Sequence, residues 1–237
     1  MTPVKTSLTP PLRAILLAAG RGSRMRPLTD TTPKPLLPVR GRPLIEWHLL
    51  ALARDGVQEV LINTAWLEDQ FPAVLGDGAR FGLSIRYQHE ARDFGDALET
   101  GGGIATAQAW LCAGGRAAFW VVSGDIWAPG FRFDAQTADT FLASGHDAQL
   151  WVVPNPPYHP RGDFDHAGRR VTYANLALMR PGLCAGLVPG RRAALGPLLI
   201  EGVAAGRIGL QDWCGAWENV GTPAQLAALQ GASFPDA

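Results

Sequence analysis

Short apolar runs at residues 13–18, 59–64, 83–88, 117–122 and 148–153 alternate with longer amphipathic stretches at 44–55, 67–75, 104–111 and 135–144. Few architectures accept that order. It predicts βαβ units, with the runs as strands of a largely parallel sheet and the stretches as the helices between them. Gly56 stands where the cap of the first helix belongs, and the next strand follows almost at once. After residue 153 the texture changes. Residues 155–160 are proline-rich, Gly168 is placed to close a hairpin, and residues 171–179 read as another strand. A helix over 192–205, a last strand near 217–220 and a helix from Pro223 complete the chain.

At 237 residues the chain is long enough to bury a substantial core, and 47% of it is hydrophobic. No internal repeat and no long linker divides it. We expect a short disordered arm over 1–12 and one domain over 13–237, an open α/β core to residue 153 followed by a substrate-side subregion.

Lys plus Arg and Asp plus Glu number 21 each, so no global field draws the chain to nucleic acid or to an anionic membrane. No apolar run approaches the ~18–20 residues of a transmembrane helix. The stretch 14–19 is shorter than the ~7–15 residues of a signal-peptide core, and a cytosolic protein is expected. Cys112, Cys184 and Cys214 are too few and too scattered for a disulfide framework or a zinc site, and are read as reduced, buried thiols. The five histidines show no ligand spacing, and Trp47, Trp110 and Trp151 fall on apolar patterns that fit core packing.

Three segments carry chemistry. Residues 17–29 read LAAGRGSRMRPLT and begin at the end of the first strand, the edge where open α/β sheets bind ligands. The small residues let backbone N–H groups approach phosphate oxygens, and Arg21, Arg24 and Arg26 offer forked donors to a polyphosphate. A dinucleotide loop is a poor fit, because the third glycine of that pattern is missing. In the second segment Pro33 and Pro35 flank Lys34, excluding a helix and presenting the ammonium from a stiff, extended stretch. The third, residues 121–125, ends a buried strand in Ser123-Gly124-Asp125, placing a carboxylate on the same sheet edge, where it can hold Mg²⁺ on a nucleotide phosphate.

Together, residues 20–29, Pro33-Lys34-Pro35 and Asp125 resemble the signature of the sugar-1-phosphate nucleotidyltransferases, which join a sugar 1-phosphate to a nucleoside triphosphate and release pyrophosphate. The resemblance runs from Arg13 almost to the end. Residues 62–67, 76–83, 98–104 and 162–164 are similar to the branch that uridylylates N-acetylmuramate α-1-phosphate in bacterial cell-wall recycling. Mannose-1-phosphate guanylyltransferase-like members share many of these blocks.

The resemblance implies an open, mostly parallel, Rossmann-like sheet, with a nucleotide-binding core over 13–153 and a small β-rich sugar-binding subregion over 154–237. It implies UTP, a sugar 1-phosphate and Mg²⁺ as the molecules bound. Ala18, Ala19, Gly20, Gly22, Ser23, Arg24, Lys34, Gly101 and Ser123 would contact the nucleotide, with Lys34 on the α-phosphate. Glu99, in a loop over 99–103, would line the base and sugar cleft, and with Asn155, Gly162, Asp163 and Asn175 it would hold the sugar. Arg24, Lys34 and Asp125 would be catalytic, and Asp125 and Asn219 would hold the metal. The sequence departs from the pattern twice. Ser123 stands where the branch has Asn, and Asn219 where several members have a second metal-binding Asp. Both substitutions would suit a non-catalytic nucleotide-sugar sensor, whereas the complete Arg24, Lys34 and Asp125 set speaks for an enzyme. Glu218 adjoins Asn219 but faces the other way along a strand and would not substitute for it.

Overall fold

The structure, a computed structural model, describes residues 11–231. Its strands are β1 (Arg13–Leu17), β2 (Pro38–Val39), β3 (Arg42–Pro43), β4 (Glu59–Thr64), β5 (Ser84–His89) and β6 (Phe119–Ser123). β7 (Ile126–Trp127), β8 (Ala148–Pro154), β9 (Phe164–His166), β10 (Arg169–Met179), β11 (Ile208–Asp212) and β12 (Glu218–Asn219) follow. The helices are α1 (Leu44–Arg54), α2 (Gln70–Leu75), α3 (Glu90–Phe94), α4 (Glu99–Leu111), α5 (Ala135–Ser144), α6 (Gly196–Ala204) and α7 (Pro223–Gly231).

The main sheet has the order β11-β8-β10-β6-β1-β4-β5, with β9 paired to β10. β10 runs against its neighbours β6, β8 and β9, while β6, β1, β4 and β5 run parallel, as do β8 and β11. This is the expected open, mostly parallel sheet flanked by helices. Its central strands are apolar on both faces because both are covered. Ala14, Leu16, Trp120 and Val122 enter one core cluster with α1, and Ile15, Phe119 and Val121 enter the other with α4.

The register matters for function. Leu17 at the end of β1 lies level with Asn63 on β4 and with Ser123 on β6. The chain leaves β1 where strand order reverses, so a crevice opens beyond these carboxyl ends.

Several local expectations need correction. Lys34 is not in an extended stretch: residues Lys34–Leu36 form a 3₁₀ turn. Prolines are compatible with it because a first turn needs neither their N–H nor any other φ. The expected loop 99–103 is the first turn of α4, which begins five residues before the predicted start. Glycines disfavour helix, so the sequence reads as a loop there, but packing requires them. A methyl on Gly101 would stand 2.9 Å from the carbonyl of Ala193, and one on Gly103 2.7 Å from both Asn63 Nδ2 and Glu90 Oε1. α2 begins at Gln70 rather than 67, after Leu67 adopts φ +50°, and α6 begins at Gly196 rather than 192. β11 and α3 have no counterpart in the sequence reading. Gly168, at φ +77°, closes the β9–β10 hairpin as expected.

The arm expected over 1–12 lies mostly outside the described residues, and Leu12 itself is buried in the core. Of the three cysteines only Cys184 is buried; Cys112 is partly so and Cys214 is exposed. Trp151 is buried, and Trp47 and Trp110 pack partly buried against core clusters. Among the described residues no helix is long and apolar enough to cross a membrane.

Candidate active site

The turn after β1 is shaped by Gly22 at φ +64°, a conformation that costs other residues about 1–2 kcal/mol. A methyl there would lie 3.1 Å from Lys34 Cβ and from Thr29 Cγ2, so the glycine lets the turn close onto the lysine stem. Thr29 Oγ1 donates to the Gly22 carbonyl at 2.8 Å and fixes the closure. Lys34 is thereby buried along its stem, with 7% of the residue exposed, and its ammonium meets Asp125 Oδ2 at 2.6 Å. Asp125 is brought there by β6. The Gly124 N–H donates to the Leu17 carbonyl at 2.8 Å, and a methyl on Gly124 would stand 3.4 Å from the ring of Pro35.

The C-terminal segment closes over the same point. β12 pairs antiparallel with β7, setting Asn219 opposite Ile126, and the Val220 N–H donates to the Asp125 carbonyl at 3.0 Å. Asn219 Oδ1 is buried and has no hydrogen-bond partner among the described residues. Glu218 turns away, accepting from Tyr158 Oη at 2.9 Å and from Gln225 Nε2 at 3.1 Å. His48, wholly buried on α1, bonds the Ile126 carbonyl through Nε2 at 2.8 Å and steadies β7 from behind. Burial lowers the His48 pKa to about 4, so the ring is neutral and Nε2 donates.

Three cavities meet here. The middle one, about 250 Å³, is lined by Ala18, Gly20, Gly22, Ser23, Arg24, Lys34 and Asp125. It shares Leu17, Gly20 and Asp125 with a cavity of about 310 Å³ lined by Ala19, Asn63, Asp96, Glu99, Thr100, Ser123 and Arg192. On the other side it shares Arg24 and Gly221 with a cavity of about 600 Å³. That largest one is walled by Tyr158, Asp163, Asn175 and Asn219 and by apolar Phe164, Leu199 and Trp217. A cationic and anionic pair thus sits between two pockets, each large enough for an organic group.

The expected site residues separate on this geometry. Of the three loop arginines only Arg24 lines the cavities. Arg21 stacks on Trp66 at 4.2 Å, and Arg26 pairs with its own Asp30 at 2.6 Å on the exposed surface. Ala18 has its N–H engaged by both the backbone carbonyl and Oδ1 of Asn63, at 3.1 Å each. Gly101 lines none of the three cavities and serves the packing of α4. Glu99 lies in the cavity of Ala19 and Ser123 rather than in the large one; it holds φ +60° and pairs with Arg192 at 2.7 Å.

Asp163 and Asn175 line the large cavity, the latter at φ +60° in the irregular stretch of β10. Asn155 and Gly162 do not. Asn155 bonds Thr172 Oγ1 at 2.9 Å and the Pro160 carbonyl at 3.1 Å, and Gly162 leaves room for it, so both shape the loop that presents Asp163. The sequence reading missed Asn63, Glu90, Arg192 and Tyr158. Asn63 alone carried a signal, as the polar end of an apolar strand within the 62–67 block; Glu90, Arg192 and Tyr158 belong to no local motif.

A protein-family model described as nucleotidyl transferase matches residues 13–157. The chain is 42% identical over 231 residues to N-acetylmuramate alpha-1-phosphate uridylyltransferase of Neisseria meningitidis, spanning 92% of this chain and 97% of that one. Over 92 residues it is 41% identical to mannose-1-phosphate guanylyltransferase of Mycobacterium tuberculosis, spanning 39% of this chain and 24% of the other. A solved structure described as a glucose-1-phosphate thymidylyltransferase from Bacillus anthracis superposes with TM-score 0.77 at 18% identity, covering 95% and 98% of the two chains. The chain therefore belongs to the nucleotidyl transferase family, as a sugar-1-phosphate nucleotidyltransferase.

Proposed function

We propose that the enzyme transfers a uridylyl group from UTP to N-acetylmuramate α-1-phosphate, giving UDP-N-acetylmuramate and pyrophosphate, in bacterial peptidoglycan recycling. The observation that carries this reading is end-to-end similarity to a uridylyltransferase of that name, whereas similarity to the guanylyltransferase covers 39% of the chain. The geometry is compatible with it. The cavity of Ala19 and Ser123 takes the base and ribose, the middle cavity the phosphates, and the large cavity the sugar. Its apolar wall suits the acyl and ether substituents of an N-acetylated, lactylated hexose.

A phosphomonoester has its second pKa near ~6, so the attacking oxygen is already ionised and needs no general base. It forms a bond to the α-phosphorus of UTP, the α–β bridging bond breaks, and pyrophosphate leaves with the electron pair. What remains for the protein is alignment and charge neutralisation. Lys34 neutralises charge at the α-phosphate and Arg24, which makes no ion pair among the described residues, holds the departing pyrophosphate. Asp125 holds the ammonium of Lys34 at 2.6 Å, at the edge of the middle cavity where the α-phosphate would lie.

The Asp125 carboxylate and the orphaned Asn219 Oδ1 are hard oxygens of the kind Mg²⁺ takes and would hold it, the remaining ligands coming from phosphates and water. Bound there, Mg²⁺ supplies charge neutralisation and orientation of the phosphates. Pyrophosphate release over a grid of UTP, GTP, CTP and TTP against N-acetylmuramate, N-acetylglucosamine, glucose and mannose 1-phosphates tests the reading. UTP with N-acetylmuramate α-1-phosphate should give the highest kcat/KM. A maximum at GTP with mannose 1-phosphate would replace it.

A further inference from the structure

Glu90 is wholly buried, at 0% exposure, and no step of the reaction uses it. Its carboxylate gathers donors from three separate segments, of which Asn63 lines the nucleotide-side cavity and Leu98 lies between its lining residues Ala97 and Glu99. Oε1 accepts from Asn63 Nδ2 at 2.8 Å, at the end of β4, and from Gln88 Nε2 at 3.2 Å, at the end of β5. Oε2 accepts the Leu98 N–H at 2.7 Å, immediately before Glu99 and Thr100, which line that cavity. Gln88 also donates to the Gly103 carbonyl at 3.1 Å, and Gly103 has no room for a methyl between Asn63 and Glu90. Burial and the nearby charge of Glu68 raise the pKa of Glu90, while the N–H donors of Leu98, Asn63 and Gln88 favour its ionised form.

The consequence reaches the phosphate loop. With Nδ2 committed to Glu90, Asn63 is held so that Oδ1 accepts the Ala18 N–H at 3.1 Å. Ala18 is the first residue of the loop, and Ala19 and Gly20 after it border the cavity. We infer that Glu90 is a positioning residue for nucleotide binding, setting through Asn63 and Leu98 the spacing between the loop after β1 and the start of α4, the two walls that grip the base and ribose. The large cavity across the site, with Asp163 and Asn175, has none of these residues in its lining. Glu90 should therefore govern the nucleotide and leave the sugar phosphate alone.

Glu90→Gln is the sharp perturbation. It keeps the shape, but turns an N–H toward either Asn63 Nδ2 or the Leu98 N–H, so that one buried donor loses its acceptor. Adding Asn63→Asp exchanges amide and carboxylate across the pair. In the doubly substituted chain the Ala18 N–H keeps an acceptor, and the side-chain amide introduced at position 90 gains one. The inference rests on the nucleotidyl-transfer reading, so the wild type is assayed first. A wild type that turns over no nucleotide with any sugar 1-phosphate overturns that reading. With the best nucleoside triphosphate of the wild type, Glu90→Gln should raise its KM about tenfold, with kcat and the sugar-phosphate KM within about twofold. The double variant should return the nucleotide KM to within about threefold of wild type. An unchanged nucleotide KM, or equal losses in kcat and in both KM values, overturns the inference. If Glu90→Gln alone is not recovered folded, the double variant decides: a near-wild-type nucleotide KM supports the inference, and a raised one, or failure to fold, overturns it.

Discussion

Replacing Lys34 with Met removes the ammonium and keeps nearly all of the stem that packs under Gly22 and Thr29. The cost to the folded state is small. The ion pair with Asp125 is lost, but that carboxylate is 33% exposed and water takes over its solvation, so the pair is worth at most about 1 kcal/mol. For a chain of this size that is a fall in Tm of about 2–4 °C. The cost to the reaction is larger, because a donor aimed at developing charge in an enclosed site is worth about 3–4 kcal/mol. That corresponds to a loss in kcat of about 10²–10³. The assay is pyrophosphate release with both substrates saturating, run beside thermal melts of the two proteins. A folded Lys34→Met enzyme retaining more than a tenth of wild-type kcat would refute the role given to Lys34. A large fall in Tm would instead show the lysine to be structural.

Further outcomes follow from the same geometry. Asn219→Asp adds a negative charge to the Asp125 pair, and should lower the Mg²⁺ concentration for half-maximal rate on the order of tenfold, with tighter Mn²⁺ binding by electron paramagnetic resonance. Asp125→Asn should raise that requirement, and an unchanged metal titration would move the anchor elsewhere. Gly22→Ala forces a left-handed alanine against the lysine stem, and should cost about 1–2 kcal/mol of stability by denaturant titration and lower kcat at least about tenfold. His48 binds its proton at about 4 in the folded protein and near 6.5 when unfolded, so its contribution is complete above pH 6.5 and is lost as pH falls toward 4. Between pH 7 and 4.5 the wild type should lose about 2–3 kcal/mol more than His48→Gln in chemical denaturation. Equal losses would show that His48 is protonated in the fold.

The sequence by itself determined most of the main sheet, though not its edge strand β11, and the middle of the site. Strands β1, β4, β6 and β8 and helices α1 and α5 are legible because each is a contiguous apolar pattern between clear stops. Arg24, Lys34 and Asp125 are legible because each lies within reach of a strand end in a local motif, and strand ends of a parallel sheet share one edge. Tertiary structure decided whatever depends on a partner distant in the chain. It made a helix of Gly101, Gly102 and Gly103, since backbone carbonyls from residues 191–193 and the Asn63–Glu90 pair leave no space for side chains. It gave Arg21 and Arg26 Trp66 and Asp30 as neighbours, away from the cavities, and it left Asn155 and Gly162 outside the lining of the large cavity, in the loop that presents Asp163. It also set Asn219 opposite Ile126, and Val220 against the Asp125 carbonyl, through a two-stranded ribbon of segments far apart in the chain. Local pattern sets which groups a chain owns; which of them face a ligand depends on what else competes for them, and that competition is settled only in three dimensions.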